Sequence, residues 1–377
     1  MSHTSVLKRL ILITTVLLSL ASCSQTPKAP EATAEVQNPE ISQLGSADVF
    51  DMTLSDRSNY QTTAVRWWTS GVKWWVSGTN SGLEYWTDAV RWWASAVRWW
   101  AEGVFLPAPD NSKPFKLINL DKAQLLAPNL GAGVNIALID TGVDLNHPML
   151  TGAVKSGWDY LGNDSNASEE GADTDVAYGH GTAVAGLIRQ VAPKATITAF
   201  RVITSDGSGR SRDVAKAIYD AVNGGADIIN MSVSTDTLTS SVYTAMLYAA
   251  SKKVLIVASG GNSGGNQPLV PALQLGNDPL LDLSGLSVGS VNGDGSSVSW
   301  NNKGNEVLAP GVNLFTAYPG QRVVYGTGSS FSAPLVTGAL ALALGENANN
   351  WKLTTLAQST SNGGIIDMSL FLKQALK

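Results

Sequence analysis

From about residue 112 onward the sequence alternates between short, continuous apolar runs and longer amphipathic stretches, and this alternation restricts the fold more than any other feature. The runs 133–139 (GVNIALI), 196–202 (TITAFRV), 227–232 (DIINMS), 253–258 (KVLIVA) and 285–291 (GLSVGSV) show no regular polar alternation. Strands of that kind are buried on both faces. Between them, 181–190, 211–223, 238–251 and 332–345 read as helices. The pattern predicts an α/β domain with a largely parallel sheet covered by helices on both faces. Such sheets place their sites at the carboxyl ends of the strands.

The 377 residues have room for one domain of about 250–300 residues and an N-terminal appendage. The predicted divisions are 1–22, 23–46, 47–104 and 105–377. Residues 1–22 hold Lys8 and Arg9 ahead of an apolar run over 10–22, with no acidic residue before Glu31. The run is too short to span a bilayer comfortably and reads as an export signal. It closes on Leu20-Ala21-Ser22-Cys23, which resembles the bacterial lipobox. That resemblance implies a diacylglyceryl group on Cys23, which cleavage leaves as the new N-terminus of an exported, membrane-anchored lipoprotein. An ordinary secretory signal is the alternative. Cys23 is the only cysteine, which excludes an intrachain disulfide framework and a multi-cysteine zinc site.

Residues 24–46 are rich in Pro, Ala, Ser and Glu and lack aromatics, the composition of a disordered tether. A repeat follows. Val65-Arg66-Trp67-Trp68, Val72-Lys73-Trp74-Trp75, Val90-Arg91-Trp92-Trp93 and Val97-Arg98-Trp99-Trp100 share one pattern, with Leu83-Glu84-Tyr85-Trp86 as a looser copy. Steps of seven, and one of eleven from Val72 to Leu83, return each copy to the same helix face. The segment 47–104 therefore reads as a small Trp-rich helical unit. A prosegment, cut near 105–113, an interfacial element suited to lipid headgroups, and a cell-wall or partner-binding element are all compatible with it.

The candidate residues sit at the end of a predicted strand or at the start of a predicted helix. Asp140 ends the run VNIALID and precedes Thr141-Gly142. The chain has three histidines: His3 lies in the signal and His147 follows a turn, which leaves His180, in Gly179-His180-Gly181-Thr182, as the credible base. Ser330 lies in Gly328-Ser329-Ser330-Phe331-Ser332-Ala333-Pro334, ahead of an apolar helix whose N-terminus favours developing negative charge. A serine hydroxyl needs an adjacent base to become a useful nucleophile.

Together these segments resemble the subtilisin family. The matching stretches are Ile136–Asp144 around Asp140, Gly179–Gly186 around His180, and Gly328–Pro334 around Ser330, with Trp300–Gly304 and Ala309–Val312 as weaker matches. The order Asp, His, Ser is that of subtilisin, and no histidine follows Ser330 as an α/β-hydrolase would require. The resemblance runs from about residue 112 to the C-terminus. It implies a serine endopeptidase in which Asp140 orients the imidazole, His180 is the general base and Ser330 the nucleophile. It further implies Asn262 as oxyanion donor. Gly261-Asn262-Ser263-Gly264-Gly265 also resembles the chymotrypsin-family serine box, but that fold is all-β and this domain alternates strands with helices.

By the same resemblance, Ser232-Val233-Ser234 and Gly207-Ser208-Gly209 are the two edges that hold the substrate backbone as an added strand. Ser234 stands where the family often has glycine, and no acidic residue adjoins Asn262, so an apolar or small P1 residue is expected. Ser329, Phe331 and Ser332 replace the commoner Thr, Met and Ala of the serine motif. Met149 replaces a calcium-binding Asp of many relatives, so no metal ligand is assigned, although calcium remains compatible with the chain. The acidic stretch 159–175 reads as a solvated loop. The mechanism requires no cofactor.

The formal net charge is −5 and no basic stretch stands out, which argues against a nucleic-acid partner. The expected partners are polypeptide substrates, met by a monomer outside the cytoplasm. A rival reading is a catalytically silent surface lipoprotein that uses the same fold for binding.

Overall fold

The computed structural model describes residues 49–50, 107–281, 284–347, 356–357, 359–361 and 364–377. The signal, Cys23, the tether and the tryptophan repeat lie outside the described residues. In chain order the strands are β1 (Val49–Phe50), β2 (Asn135–Asp140), β3 (Val154–Asp159), β4 (Thr196–Arg201), β5 (Gly209–Arg210), β6 (Ile228–Met231) and β7 (Leu255–Ser259). They continue as β8 (Gly285–Val291), β9 (Val307–Pro310), β10 (Leu314–Tyr318), β11 (Arg322–Gly326), β12 (Thr360–Ser361) and β13 (Ile365–Ile366). The helices are α1 (Ser112–Leu117), α2 (Leu120–Leu126), α3 (His180–Val191), α4 (Ser211–Asn223), α5 (Ser240–Ser251), α6 (Ala272–Asn277), α7 (Ser329–Gly345) and α8 (Met368–Ala375).

Nine strands form the main sheet in the order β12-β13-β9-β8-β7-β6-β2-β4-β3. All neighbours are parallel except β12 with β13. The five predicted runs are β2, β4, β6, β7 and β8. Their side chains divide by parity between two cores. Ile136 and Leu138 face the core built with α3, α7 and α8, while Ala137 and Ile139 face the one built with α4, α5 and α6. The same split separates Leu255 and Val257 from Ile256 and Ala258. Two buried faces leave no position for polar alternation, which explains the continuous apolar runs.

The chain builds outward from β2 in both directions, to β4 and β3 on one side and to β6 onward on the other. Sheets of this kind bind ligands at the carboxyl ends of the strands beside such a reversal, and Asp140 closes β2 while Ser232 follows β6. The sequence pattern missed β3, β9 and the β12–β13 pair of the main sheet, and the separate β10–β11 hairpin. β3, with sequence VKSGWD, is an edge strand and mostly half-exposed. β9 is only four residues long, and the β10–β11 hairpin pairs outside the main sheet. Among the described residues, no helix is long and apolar enough to cross a membrane.

The helix α7 starts at Ser329, three residues earlier than expected, and Pro334 lies inside it. Nearly every residue of α7 is buried, so its uniformly apolar surface is that of a core helix.

Candidate active site

Asp140 is the last residue of β2, and the next turn folds back so that Thr141 N donates to Asp140 Oδ1 at 2.8 Å. The other partner of that oxygen is His180 Nδ1, at 2.7 Å. His180 opens α3, and two glycines make the approach possible. Gly179 has φ +83°, and a Cβ there would lie 2.6 Å from Tyr318 and Pro319. A Cβ on Gly181 would lie 2.1 Å from the Gly142 carbonyl and 3.2 Å from Asp140 Oδ1. Only glycine lets the helix start rest on the aspartate turn, where Gly181 N donates to Thr141 Oγ1 at 2.9 Å.

Both groups are shut off from water, with Asp140 0% and His180 3% exposed. Burial works against the imidazolium of His180, but the charge and hydrogen bond of Asp140, with the charge of Glu169, outweigh it. The His180 pKa therefore lies above its ordinary value. A histidine held in one orientation and made more basic is suited to take a proton from a hydroxyl.

Ser330 lies in the first turn of α7 and is 0% exposed. Its Oγ donates to the Ser232 carbonyl at 3.0 Å, and Ser232 Oγ donates to the Ser330 carbonyl at 2.8 Å. Inside a helix the Ser330 carbonyl would bond the N–H four residues on, but that residue is Pro334 and has none. The proline thus leaves the carbonyl available to Ser232. Behind it, Asn230 Nδ2 donates to Ser232 Oγ at 3.0 Å and Thr337 Oγ1 to Asn230 Oδ1 at 2.7 Å.

Asn262 follows β7. Its Oδ1 accepts from Ser329 N at 2.7 Å, while Nδ2 is buried and makes no hydrogen bond among the described residues. A buried amide donor left open beside the N-terminus of α7 is what a developing oxyanion needs. Gly261 N donates to Ser329 Oγ at 3.1 Å and ties the same loop to the helix. The His180 and Phe331 rings lie 5.6 Å apart, which joins the Asp140–His180 pair to the serine turn.

The departures from the family's serine motif are absorbed by local partners. Ser329 Oγ takes the Gly261 bond, Phe331 packs on His180, and Ser332 Oγ lies 2.8 Å from Ser290 Oγ. His147, set aside from the sequence, is buried and holds structure: Nδ1 accepts from Met149 N and Nε2 contacts the Arg322 carbonyl at 2.7 Å.

Of the expected substrate edges, Ser232, Val233 and Ser234 leave the end of β6, with Ser232 committed to Ser330. The other edge runs through Gly207, Ser208 and Gly209, and here the structure adds a partner. Gly209–Arg210 pairs antiparallel with Val49–Phe50, so this edge already accepts an extended segment as a strand.

The acidic stretch 159–175 is not uniformly solvated. Asp159 is buried and bonds Arg201 Nη1 at 2.7 Å, Asp173 pairs with Arg322, and Glu169 turns its carboxyl inward beside Thr182 and Asp140. Nothing in the sequence marked Glu169 as different from its acidic neighbours. Among the described residues no cluster of three His, Cys, Asp or Glu side chains is arranged to hold a metal ion.

Residues 131–367 match the subtilase family. The chain is 33% identical over 243 residues to the thermophilic serine proteinase of a Bacillus species, a match covering 61% of this chain and 57% of that protein. It is 33% identical to thermitase of Thermoactinomyces vulgaris, covering 58% of this chain and 78% of thermitase. With subtilisin E of Bacillus subtilis the identity is 31%, over 60% of each. The chain therefore spans well under two thirds of the length of the first and third of these relatives. The crystal structure of a cold adapted subtilisin-like serine proteinase superposes with a TM-score of 0.54 at 28% identity, covering 63% of this chain and 86% of that one.

Proposed function

We propose, of a chain that belongs to the subtilase family, that it is an exported serine endopeptidase working through Asp140, His180 and Ser330. The observation that carries this reading is the buried 2.7 Å bond between Asp140 and His180, set against a serine at a helix N-terminus and an open Asn262 amide.

In the mechanism, the peptide lies as an added strand along Gly207–Gly209 on one side and Ser232–Ser234 on the other. The Ser330 hydroxyl turns from the Ser232 carbonyl to His180 Nε2, gives up its proton and attacks the scissile carbonyl carbon. Catalytic hydrogen bonds of this kind commonly tighten only when substrate is bound. Asp140 keeps the imidazole in the right tautomer and stabilises the imidazolium. Asn262 Nδ2 and the Ser330 N–H receive the oxyanion. His180 then protonates the leaving amine, the C–N bond breaks, and water taken through His180 hydrolyses the acyl-enzyme. None of these steps calls on a cofactor. Polypeptides with an apolar or small residue before the scissile bond are the substrates.

Cys23, directly behind the short apolar segment, is the site of a diacylglyceryl anchor in this reading, with 23–46 as tether and 47–104 as a Trp-rich segment ahead of the catalytic domain 105–377. The protein then works outside the cytoplasm as a monomer on the membrane that carries the anchor. The test is fluorophosphonate labelling of purified native protein, read by intact and peptide mass. The reading expects one adduct, on Ser330; correctly folded protein that takes up no label overturns it.

A further inference from the structure

Glu169 holds a place that the triad alone does not explain. The segment 167–169 is stitched to the turn after Asp140 by two backbone bonds, Val143 N to the Ala167 carbonyl at 3.1 Å and Glu169 N to the Val143 carbonyl at 3.3 Å. The contact is so close that a Cβ on Gly142 would lie 2.6 Å from the Ser168 carbonyl oxygen. From there the Glu169 side chain reaches the first turn of α3. Its Oε2 accepts from Thr182 Oγ1 at 2.8 Å and from Thr182 N at 3.3 Å. Thr182 is fully buried, and the same hydroxyl accepts from Asp144 N at 2.9 Å. The helix that presents His180 and the turn that presents Asp140 are thus clamped together through one carboxyl group and one hydroxyl.

A neutral side chain would serve a purely structural clamp at lower cost. A buried carboxyl without an ion pair is expensive, because the charge loses its hydration. Glu169 Oε1 is buried. Burial first, with the neighbouring Asp140 charge in addition, pushes the Glu169 pKa up to about 7, against the pull of the Thr141 and Thr182 hydroxyls and the Gly179 amide. The titratable groups that face this carboxyl are Asp140, His180 and Tyr178, and the charge of Glu169 acts on His180 and Tyr178 in turn. A buried ionisable group whose charge favours the imidazolium, fastened to both partners of the acid–base pair, is placed to act on the reaction.

We propose that Glu169 is a positioning residue of the catalytic triad, clamping the His180 helix to the Asp140 turn through Thr182 and supplying a second negative charge that supports the imidazolium. This rests on the triad reading given above. Since Glu169, His180 and Asp140 interact, the acid limb of the rate profile belongs to the group and not to one residue.

The test is a pair of pH–rate profiles, for kcat and kcat/KM, on the full-length protein with a peptide substrate. Rates are normalised to sites titrated with a fluorophosphonate. Glu169→Gln keeps an acceptor but removes the charge. It is expected to lower kcat by up to about 10²-fold, the scale of a small misplacement of a catalytic group, with little change in KM. Its acid limb moves to lower pH, because the imidazolium loses a supporting charge. Thr182→Val breaks the clamp and keeps the carboxyl, so kcat falls while the limb moves less than in Glu169→Gln; Thr182→Ser, which keeps the hydroxyl, recovers most of that loss. A Glu169→Gln enzyme with wild-type kcat and an unmoved limb overturns the proposal. So does one that loses only titratable sites and keeps the wild-type profile in those that remain. Should Glu169→Gln give no titratable sites, wild-type kcat in Thr182→Val overturns it. Wild-type protein that neither labels nor cleaves peptide sinks the triad reading instead.

Discussion

Ser232 and Ser330 exchange hydrogen bonds in both directions, each hydroxyl donating to the other's carbonyl, at 2.8 and 3.0 Å. The exchange depends on Pro334, which has no N–H with which to claim the Ser330 carbonyl. A residue expected to serve the substrate strand therefore also fixes the backbone of Ser330. Substituting Ser232 by Ala leaves the buried Ser330 carbonyl and the Asn230 amide each short of a partner. The expected loss is about 1–3 kcal/mol of stability, read as a lowered denaturant midpoint at unchanged slope.

In the proposed mechanism Asn262 has two tasks, one for each side-chain polar atom, and a substitution separates them. Asn262→Asp keeps the oxygen that accepts from Ser329 N and replaces the open Nδ2 donor by a second oxygen. The protein should fold and label on Ser330 more slowly, with kcat lowered about 10²–10³-fold and KM little altered. Wild-type turnover in this variant would remove Asn262 from the oxyanion role.

Asp140→Asn leaves the shape of the pair and removes the charge that orients His180. Loss of kcat by about 10⁴-fold is expected, since the imidazole is then held in the wrong tautomer. Steady-state kinetics on titrated sites measures it.

The raised pKa of Glu169 carries a stability consequence with a definite sign. The carboxyl is easier to ionise in the unfolded chain, near its ordinary 4.5, than in the fold, near 7. Between those values the folded protein holds the extra proton, so this group's contribution is full below pH 4.5 and is lost as pH rises through about 7. In a Ser330→Ala background, which prevents self-digestion, Glu169→Gln should raise the melting temperature at pH 9 relative to the parent and change it little at pH 4. The shift corresponds to on the order of 3 kcal/mol at the alkaline end. Equal melting temperatures at both pH values would show that the carboxyl is not penalised by burial.

Gly181→Ala tests the packing of α3 on the aspartate turn. The added methyl meets the Gly142 carbonyl at 2.1 Å, and backbone must shift to admit it. Overpacking of this kind costs about 1–3 kcal/mol, and the Asp140–His180 bond is strained in the process. Both a lowered melting temperature and a fall in kcat are expected.

The five central strands were legible because they are buried on both faces, which writes them as continuous apolar runs; their short length separates them from a core helix such as α7, which is apolar throughout. β3 was not, since an edge strand with Lys155, Ser156 and Gly157 has no such pressure on its composition. Asp140, His180 and Ser330 were legible through their order and the scarcity of histidine. Glu169 was illegible among Asp164, Glu170, Asp173 and Asp175. Its difference lies in which way the loop turns it, and that is set by two backbone bonds to Val143. The start of α7 was misplaced for a related reason. Pro334 reads as a helix boundary, but the bond it forfeits is compensated by Ser232, more than ninety residues away in the chain.

The sequence by itself determined the class of fold and singled out Asp140, His180 and Ser330 as candidates, because apolar runs and local turn chemistry are written residue by residue; which strand residues face which core it did not show. Only the tertiary structure decided the rest. Ser232 is bound to the backbone of Ser330, the Asn262 amide makes no hydrogen bond among the described residues, and Glu169, one acid of an acidic loop, faces inward to bond Thr182 in the helix that His180 opens. These are contacts between segments distant in sequence. Their energies depend on burial and on which partners are within reach, and neither exists until the chain has closed on itself.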